Sequence, residues 1–486
     1  MPITNKTAKI MKEITDYSRK ATWHILDKKR TMKRSKLWML AAILICATMT
    51  VTTACKGGKP ASEANDSTAT SDIDKLREEI RAQYGENKPI TDGNYDKSLA
   101  VKCINGTFVG KKVGDIISYK GIPFVGKQPV GELRWKAPVD VTPSDSVYEA
   151  YYHGKSPRQN ENVTDAGSPG NVTIFGESAG SASVTLLPLI KGSHQYFKKV
   201  IGQSGTPVFT RSAEQAIACT DELMEALGCK TVSDLQKVDV DKLIEASAML
   251  SLRVWPERDG SLLPQNPFEA YADGTAKDID FIQGCNKDEL NYFVYCFGGA
   301  EAYNQWGDDR KAKKMAELTD EEKALVESFC KDIKGESYER TSRLFDQIVF
   351  IAPLFRLTEN QTKAGGKSYN YFFTPESSLP IMRCGHAVEV AVVLNHPENT
   401  SFTGRAFDET FSKTMRRMWV QFAKTGCPSL TAEQSPDGKA KEWPLYDLKD
   451  KKVMILDEQD IHPEKESERK ILDWERTYFL TKYYCI

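Results

Sequence analysis

Asn171-Val172-Thr173-Ile174-Phe175-Gly176-Glu177-Ser178-Ala179-Gly180 is the stretch that decides the fold of this chain. Five residues of strand-forming character run directly into Gly-x-Ser-x-Gly, and a run of small residues with helical reach follows over 181–187. That order is the sequence form of a sharp strand-to-helix turn that lifts a serine hydroxyl out of the backbone. Gly176 and Gly180 are each expected to have a steric task, since a side chain there would meet the neighbouring strand or helix. Ser178 then begins a helix, where free N–H groups and the helix dipole favour developing negative charge. The rival reading is a plain glycine-rich turn; the strand before and the helix after favour a nucleophile.

Composition narrows what such a serine could serve. The chain has 486 residues, 40% of them hydrophobic, which is ample for a large core. Lys plus Arg number 66 and Asp plus Glu 67, a net charge of −1. No basic excess points to nucleic acid, and no block of like charge points to a polyionic partner. The eleven cysteines contain no Cys-x-x-Cys pair, so neither a zinc site nor a thioredoxin-like motif is indicated. A helix between Cys219 and Cys229 would hold them about 15 Å apart, beyond disulfide reach.

The N-terminal region reads as an address. Met32-Lys33-Arg34-Ser35-Lys36 is a basic n-region, residues 37–51 are an apolar h-region, and Thr52-Thr53-Ala54-Cys55 closes it. The small residues before Cys55 resemble a bacterial lipoprotein processing site, with Thr52 where leucine is usual. Cys55 is then the lipidated, mature N-terminus of an exported cell-envelope protein. The competing reading is a single spanning anchor, for which about 18 weakly apolar residues are marginal. Met32 is the expected start of the signal. Residues 1–55 are therefore read as extension and signal, 56–98 as a flexible tether with a short helix over 74–84, and 99–486 as the folded domain.

Along that domain the hairpin signal is Lys102 to Gly110 around a turn at Asn105-Gly106. A short apolar strand ending in a turn is expected over 200–205, a buried strand over 280–284, and an aromatic, strand-like run over 368–373. Helical periodicity covers 212–250 with breaks, 308–331, 337–365 and 410–425. Alternating strands and helices argue for an α/β domain with a mostly parallel sheet flanked by helices.

A serine hydroxyl needs a histidine to take its proton, and the histidine needs a carboxylate to orient it. On strand-to-helix elbows the chain order is serine, acid, histidine. Of six histidines, only His386, His396 and His462 lie far enough beyond Ser178. His386 follows Gly385 in a loop after the 368–373 strand, the placement expected of the base. His396 precedes a proline in a polar loop, and His462 sits in a charged tail. The acid is expected just after the 280–284 strand, in Gly284-Cys285-Asn286-Lys287-Asp288-Glu289, where position does not choose between Asp288 and Glu289.

These residues resemble the type-B carboxylesterase family, which includes the cholinesterases and the non-catalytic neuroligins. The likeness covers most of residues 100–446. Its pieces are Gly121-Ile122-Pro123-Phe124, Gly131-Glu132-Leu133-Arg134-Trp135, the elbow, Gln203-Ser204-Gly205, Asp259-Gly260, Asn286-Lys287-Asp288-Glu289, Gly385-His386 with Glu389, and Trp419 with Phe422-Ala423-Lys424-Thr425-Gly426. The resemblance implies an α/β-hydrolase fold and a triad of Ser178, Glu289 and His386, with the Ala179 N–H in the oxyanion hole. It implies a small-molecule ester as substrate, no metal or organic cofactor, and a membrane link only through the N-terminal anchor. Ser204 is read as structural, and Glu177 has no role legible from sequence.

One departure stands out. Between Gly121 and Ser178 the chain omits on the order of a hundred residues, among them the strand ending in the oxyanion glycine run, its neighbouring strand and the helix into the elbow. The join is placed near 157–170, and His153-Gly154 does not replace the missing loop. The fold is therefore expected to be incomplete, with Val172, Ile174 and Phe175 on a bare apolar edge. Two further classes stay open: a neuroligin-like binding protein, which the intact triad argues against, and an inactive esterase remnant.

Overall fold

The structure is a computed structural model that describes residues 87–113, 116–123, 126–127, 139–152, 171–250, 255–331 and 333–465. The expected signal, Cys55, the 74–84 helix, His153-Gly154, the Gly131 to Trp135 motif and the 157–170 join lie outside these residues. No helix among the described residues is long and apolar enough to cross a membrane. The described residues fall into two units, one within Lys56–Ser168 and the other within Pro169–Ile486.

The first unit contains strands β1 (Ala100–Cys103), β2 (Gly106–Val109), β3 (Lys111–Val113), β4 (Ile116–Ser118) and β5 (Val147–Glu149). β1 and β2 form the expected hairpin, but Cys103 pairs with Gly106, so the turn is Ile104-Asn105, one residue earlier than read. β5 joins β2 in parallel, Phe108 stacks on Tyr148, and Phe108, Val109 and Ala150 are buried.

The second unit is built on one sheet of β6 (Thr173–Glu177), β7 (Lys199–Gln203), β8 (Asp280–Asn286), β9 (Ser368–Phe373), β10 (Lys452–Leu456) and β11 (Ile461–Lys465). The spatial order follows the chain order, β6 to β10 are parallel, and β11 is antiparallel. The expected mostly parallel sheet is present. β10 and β11 had no clear sequence signal, and His462 falls on β11.

The inner strands β7 to β10 are buried on both faces, so their apolar residues alternate between two cores rather than between core and water. Val200, Phe281, Phe372, Val453 and Ile455 enter one core; Ile201, Ile282, Tyr371, Met454 and Leu456 enter the other.

Helices close both layers. α1 (Ala179–Leu186) links β6 to β7. α2 (Ala213–Leu227), α3 (Val232–Lys237) and α4 (Val240–Leu250) fill the broken helical stretch; Ser212 with Gln215 and Thr231 with Asp234 form capping boxes that set the first two starts. Further on come α5 (Pro267–Ala272), α6 (Asn291–Cys296), α7 (Ala300–Glu317), α8 (Asp320–Lys331), α9 (Ser337–Asp346) and α10 (Ala352–Lys363). A π-helical turn, Gln347–Ile351, joins α9 to α10. After β9 come α11 (Val390–Val393) and α12 (Glu409–Thr425), and α12 packs Met415, Met418, Trp419 and Phe422 onto the second core.

β6 is the outermost parallel strand, with no strand beyond it among the described residues. The edge is less bare than expected. Val172 and Ile174 pack against the first core, and only Phe175 is exposed, at 47%.

Candidate active site

The β6–α1 connection forms the elbow that the sequence describes. Ser178 has φ 60° and ψ −118°, a conformation costly for a residue with a side chain, and its N–H donates to Gln203 O at 2.9 Å. It is the N-cap of α1, yet its side chain does not cap the helix, so the hydroxyl stays uncommitted. A Cβ on Gly176 would lie 2.4 Å from the Gly180 backbone, and one on Gly205 would lie 2.3 Å from Ser178 O. Gly176 therefore has the expected steric task and Gly205 shares it. Gly180 does not: a Cβ there would meet open space, because the crowding falls on its backbone. Ala179, exposed at the first position of α1, offers an amide with no intrahelical acceptor. Ser204 is fully buried with φ 54°, and its N–H donates to Gly284 O at 2.8 Å, in keeping with a structural task.

Glu289 and His386 meet at the ends of β8 and β9. The His386 Nδ1–H donates to Glu289 Oε2 at 2.6 Å, and the Asn286 N–H donates to Glu289 Oε1 at 2.7 Å. His386 N–H also donates to Glu289 O at 3.1 Å. Glu289 is 0% and His386 5% exposed. Geometry thus separates the two carboxylates that position alone left open, because Asp288 turns away to Arg343. It separates the histidines too: His396 is exposed beside Glu398, and His462 lies between Asp460 and Glu464.

The other face of the imidazole holds what sequence reading missed. Glu177 Oε1 lies 3.0 Å from His386 Nε2, without the alignment of a hydrogen bond, and no hydrogen bond joins Ser178 to the ring. Behind this pair Glu389 accepts from Asn286 Nδ2 at 2.6 Å and from Gln203 Nε2 at 3.1 Å. Tyr292, Phe293 and Phe350 surround the ring, with Phe350 nearest at 5.1 Å between centroids.

Three carboxyls around one imidazole, Glu289 and Glu389 buried and Glu177 partly so, set the protonation. Burial alone would push His386 down; Glu177, then Glu289 and Glu389, outweigh it and hold the ring up at about 9. Burial raises Glu177 to about 8, opposed by the imidazolium and reinforced by Glu389 and Glu289. Burial, aided by Glu289, also raises Glu389 against its two hydrogen bonds. Among the described residues no group of three or more His, Cys, Asp or Glu is arranged to hold a metal ion.

A family model described as the carboxylesterase family matches residues 166–472. The chain belongs to the carboxylesterase family. Among curated relatives, this carboxylesterase-family chain is 29% identical over 333 residues to bile salt-activated lipase of Bos taurus, covering 60% of this chain and 54% of the lipase. It is 27% identical over 331 residues to para-nitrobenzyl esterase of Bacillus subtilis (strain 168), covering 64% of each. The chain thus spans about half to just under two thirds of these relatives' lengths. A crystal structure of carboxylesterase EST55 of Geobacillus stearothermophilus superposes with a TM-score of 0.64 at 20% identity, covering 79% of this chain and 99% of that one. That likeness is one of fold, and the fold is the α/β-hydrolase fold.

Proposed function

We propose that this chain is a serine carboxylesterase that cleaves a small-molecule carboxylic ester through Ser178, His386 and Glu289. The observation that carries the reading is the 2.6 Å contact from His386 Nδ1 to Glu289 Oε2, formed on the sheet that presents Ser178 from a strained elbow. In the proposed cycle Ser178 Oγ attacks the ester carbonyl while His386 Nε2 takes the proton, and Glu289 holds the ring and offsets its charge. The Ala179 N–H, at the start of α1, donates to the oxyanion. The imidazolium returns its proton to the departing alcohol, and water, deprotonated by the same nitrogen, releases the acid.

Nε2 can act as a base only after it has lost its proton and turned from Glu177 to the serine. A ring held at about 9 is mostly imidazolium near neutral pH, so the reading implies activity that rises with pH. With the oxyanion loop expected to be missing before the elbow, the Ala179 N–H is the donor that remains, and one lost donor typically costs about a hundred- to a thousandfold.

The test is direct. The purified chain is expected to hydrolyse a p-nitrophenyl short-chain ester, and Ser178→Ala to reduce it to background. Equal rates for the two proteins would leave a carboxylesterase fold without its chemistry.

A further inference from the structure

We infer that Arg343 is a positioning residue for the Glu289–His386 pair, a cationic fork that holds the acid-bearing turn 287–291 and, through it, the histidine loop. The inference rests on the esterase reading above. Arg343 lies on α9, in neither loop, and touches none of the reacting atoms. Its Nη1 donates to Lys287 O at 3.0 Å and to Asp346 Oδ2 at 2.7 Å. Its Nη2 donates to Asn291 Oδ1 at 3.3 Å and pairs closely with Asp288 Oδ1. One guanidinium therefore grips the turn on both sides of Glu289. Between those grips, the Leu290 N–H donates to Asp346 Oδ1 at 2.8 Å.

Both grips continue into the histidine loop. Asp288 N–H donates to Cys384 O at 3.0 Å, and Asp288 Oδ2 accepts from the Cys384 N–H at 3.4 Å. Asn291 Nδ2 donates to Ile381 O at 2.6 Å. That loop needs holding, because Ile381, Arg383 and Ala387 adopt φ of 70°, 47° and 64° around His386. Such conformations are costly for residues that carry a side chain and persist only where the surroundings over-determine them.

Charge points the same way. Asp288 and Asp346 are 2% and 1% exposed, and buried carboxylates without a cation are costly. Lysine would keep the charge but lose the planar fork that reaches four oxygens. If Arg343 merely braced α9 against the sheet, its loss would lower stability and leave the imidazole unchanged.

The experiment reads the imidazole itself. In the full chain, the downfield proton resonance of the His386 Nδ1–H, assigned by its loss in His386→Ala, is compared in Arg343→Gln, Arg343→Lys and Ser178→Ala. Lys413→Gln, which removes a cation from an exposed pair with Glu409, is the charge control. The signal is expected to vanish or move in Arg343→Gln, to move less in Arg343→Lys, and to hold in the other two. With ester substrate, kcat is expected to fall on the order of a hundredfold in Arg343→Gln with KM little changed. In a Glu289→Gln background the same change is expected to cost nothing further. An unmoved resonance in folded Arg343→Gln would overturn the inference; should that variant not fold, an unmoved resonance in Arg343→Lys would do so. A wild type no faster than Ser178→Ala ends the esterase reading, and the resonance still decides the part played by Arg343.

Discussion

Glu289 and His386 stand on different ground from Ser178. Glu289 and His386 lie in the loops that follow β8 and β9, two inner strands of the sheet, tied by Asn286, Asp288, Asn291 and Arg343 and enclosed by aromatic rings. The serine stands on β6, the outermost parallel strand, beside an exposed Phe175 and an exposed Ala179. One half of the site is over-determined, while the other depends chiefly on the backbone of a single turn. The difference teaches that, on the proposed reading, His386 is oriented by Glu289 before substrate arrives, whereas its contact with Ser178 has still to be made.

Three experiments break or sharpen that contrast. Glu289→Gln removes the charge that orients His386 and is expected to lower kcat by about 10⁴ while the protein stays folded; a loss below tenfold would show that orientation comes from elsewhere. Packing separates the two regions next. Phe281, 0% exposed in the central strand, is expected to cost about 3–5 kcal/mol on change to Ala, whereas Phe175→Ala on the edge should stay within about 0.5 kcal/mol. Comparable shifts in the chemical-denaturation midpoints of these two variants would mean that β6 is as firmly packed as β8.

The mildest change is Glu177→Gln. Glu177 is the leading cause holding the imidazole above its ordinary 6.5, so removing its charge lowers the ring pKa. The base is then free at lower pH, and the rising limb of kcat/KM is expected to move toward neutrality. A limb that stays in place would show that Glu177 does not set the protonation of His386.

Much of the fold and half of the site are legible in the amino-acid sequence alone. The elbow is a local motif: Gly176 is required by the Gly180 backbone, and strand and helix adjoin in sequence. β7, β8 and β9 are short apolar runs whose ends carry turn residues, so order along the chain narrows the histidine to three candidates with His386 the best placed, and geometry separates them. The Arg343 fork is not legible, because it gathers residues 287, 288, 291 and 346, and no periodic pattern marks such a convergence. Nor is the Glu177 contact. Next to a nucleophile, a carboxylate has no sequence signature that says whether it faces water or the base. β11 escapes for a simpler reason: Ile461-His462-Pro463-Glu464-Lys465 is polar and contains proline, as an antiparallel edge strand permits.

The π turn at Gln347–Ile351 has a consequence of its own. It stores one surplus residue between the helix that carries Arg343 and Asp346 and the helix that begins before Pro353, and it aims Phe350 at the imidazole. Removing that residue would close the turn into regular α-helix with little net rotation of the clamp against α10, because five residues of π turn sweep about the same angle as four of α-helix. The segment therefore works as a vernier. Substitution or loss of a residue there trims where Phe350 stands against His386 and leaves the Arg343 clamp in register.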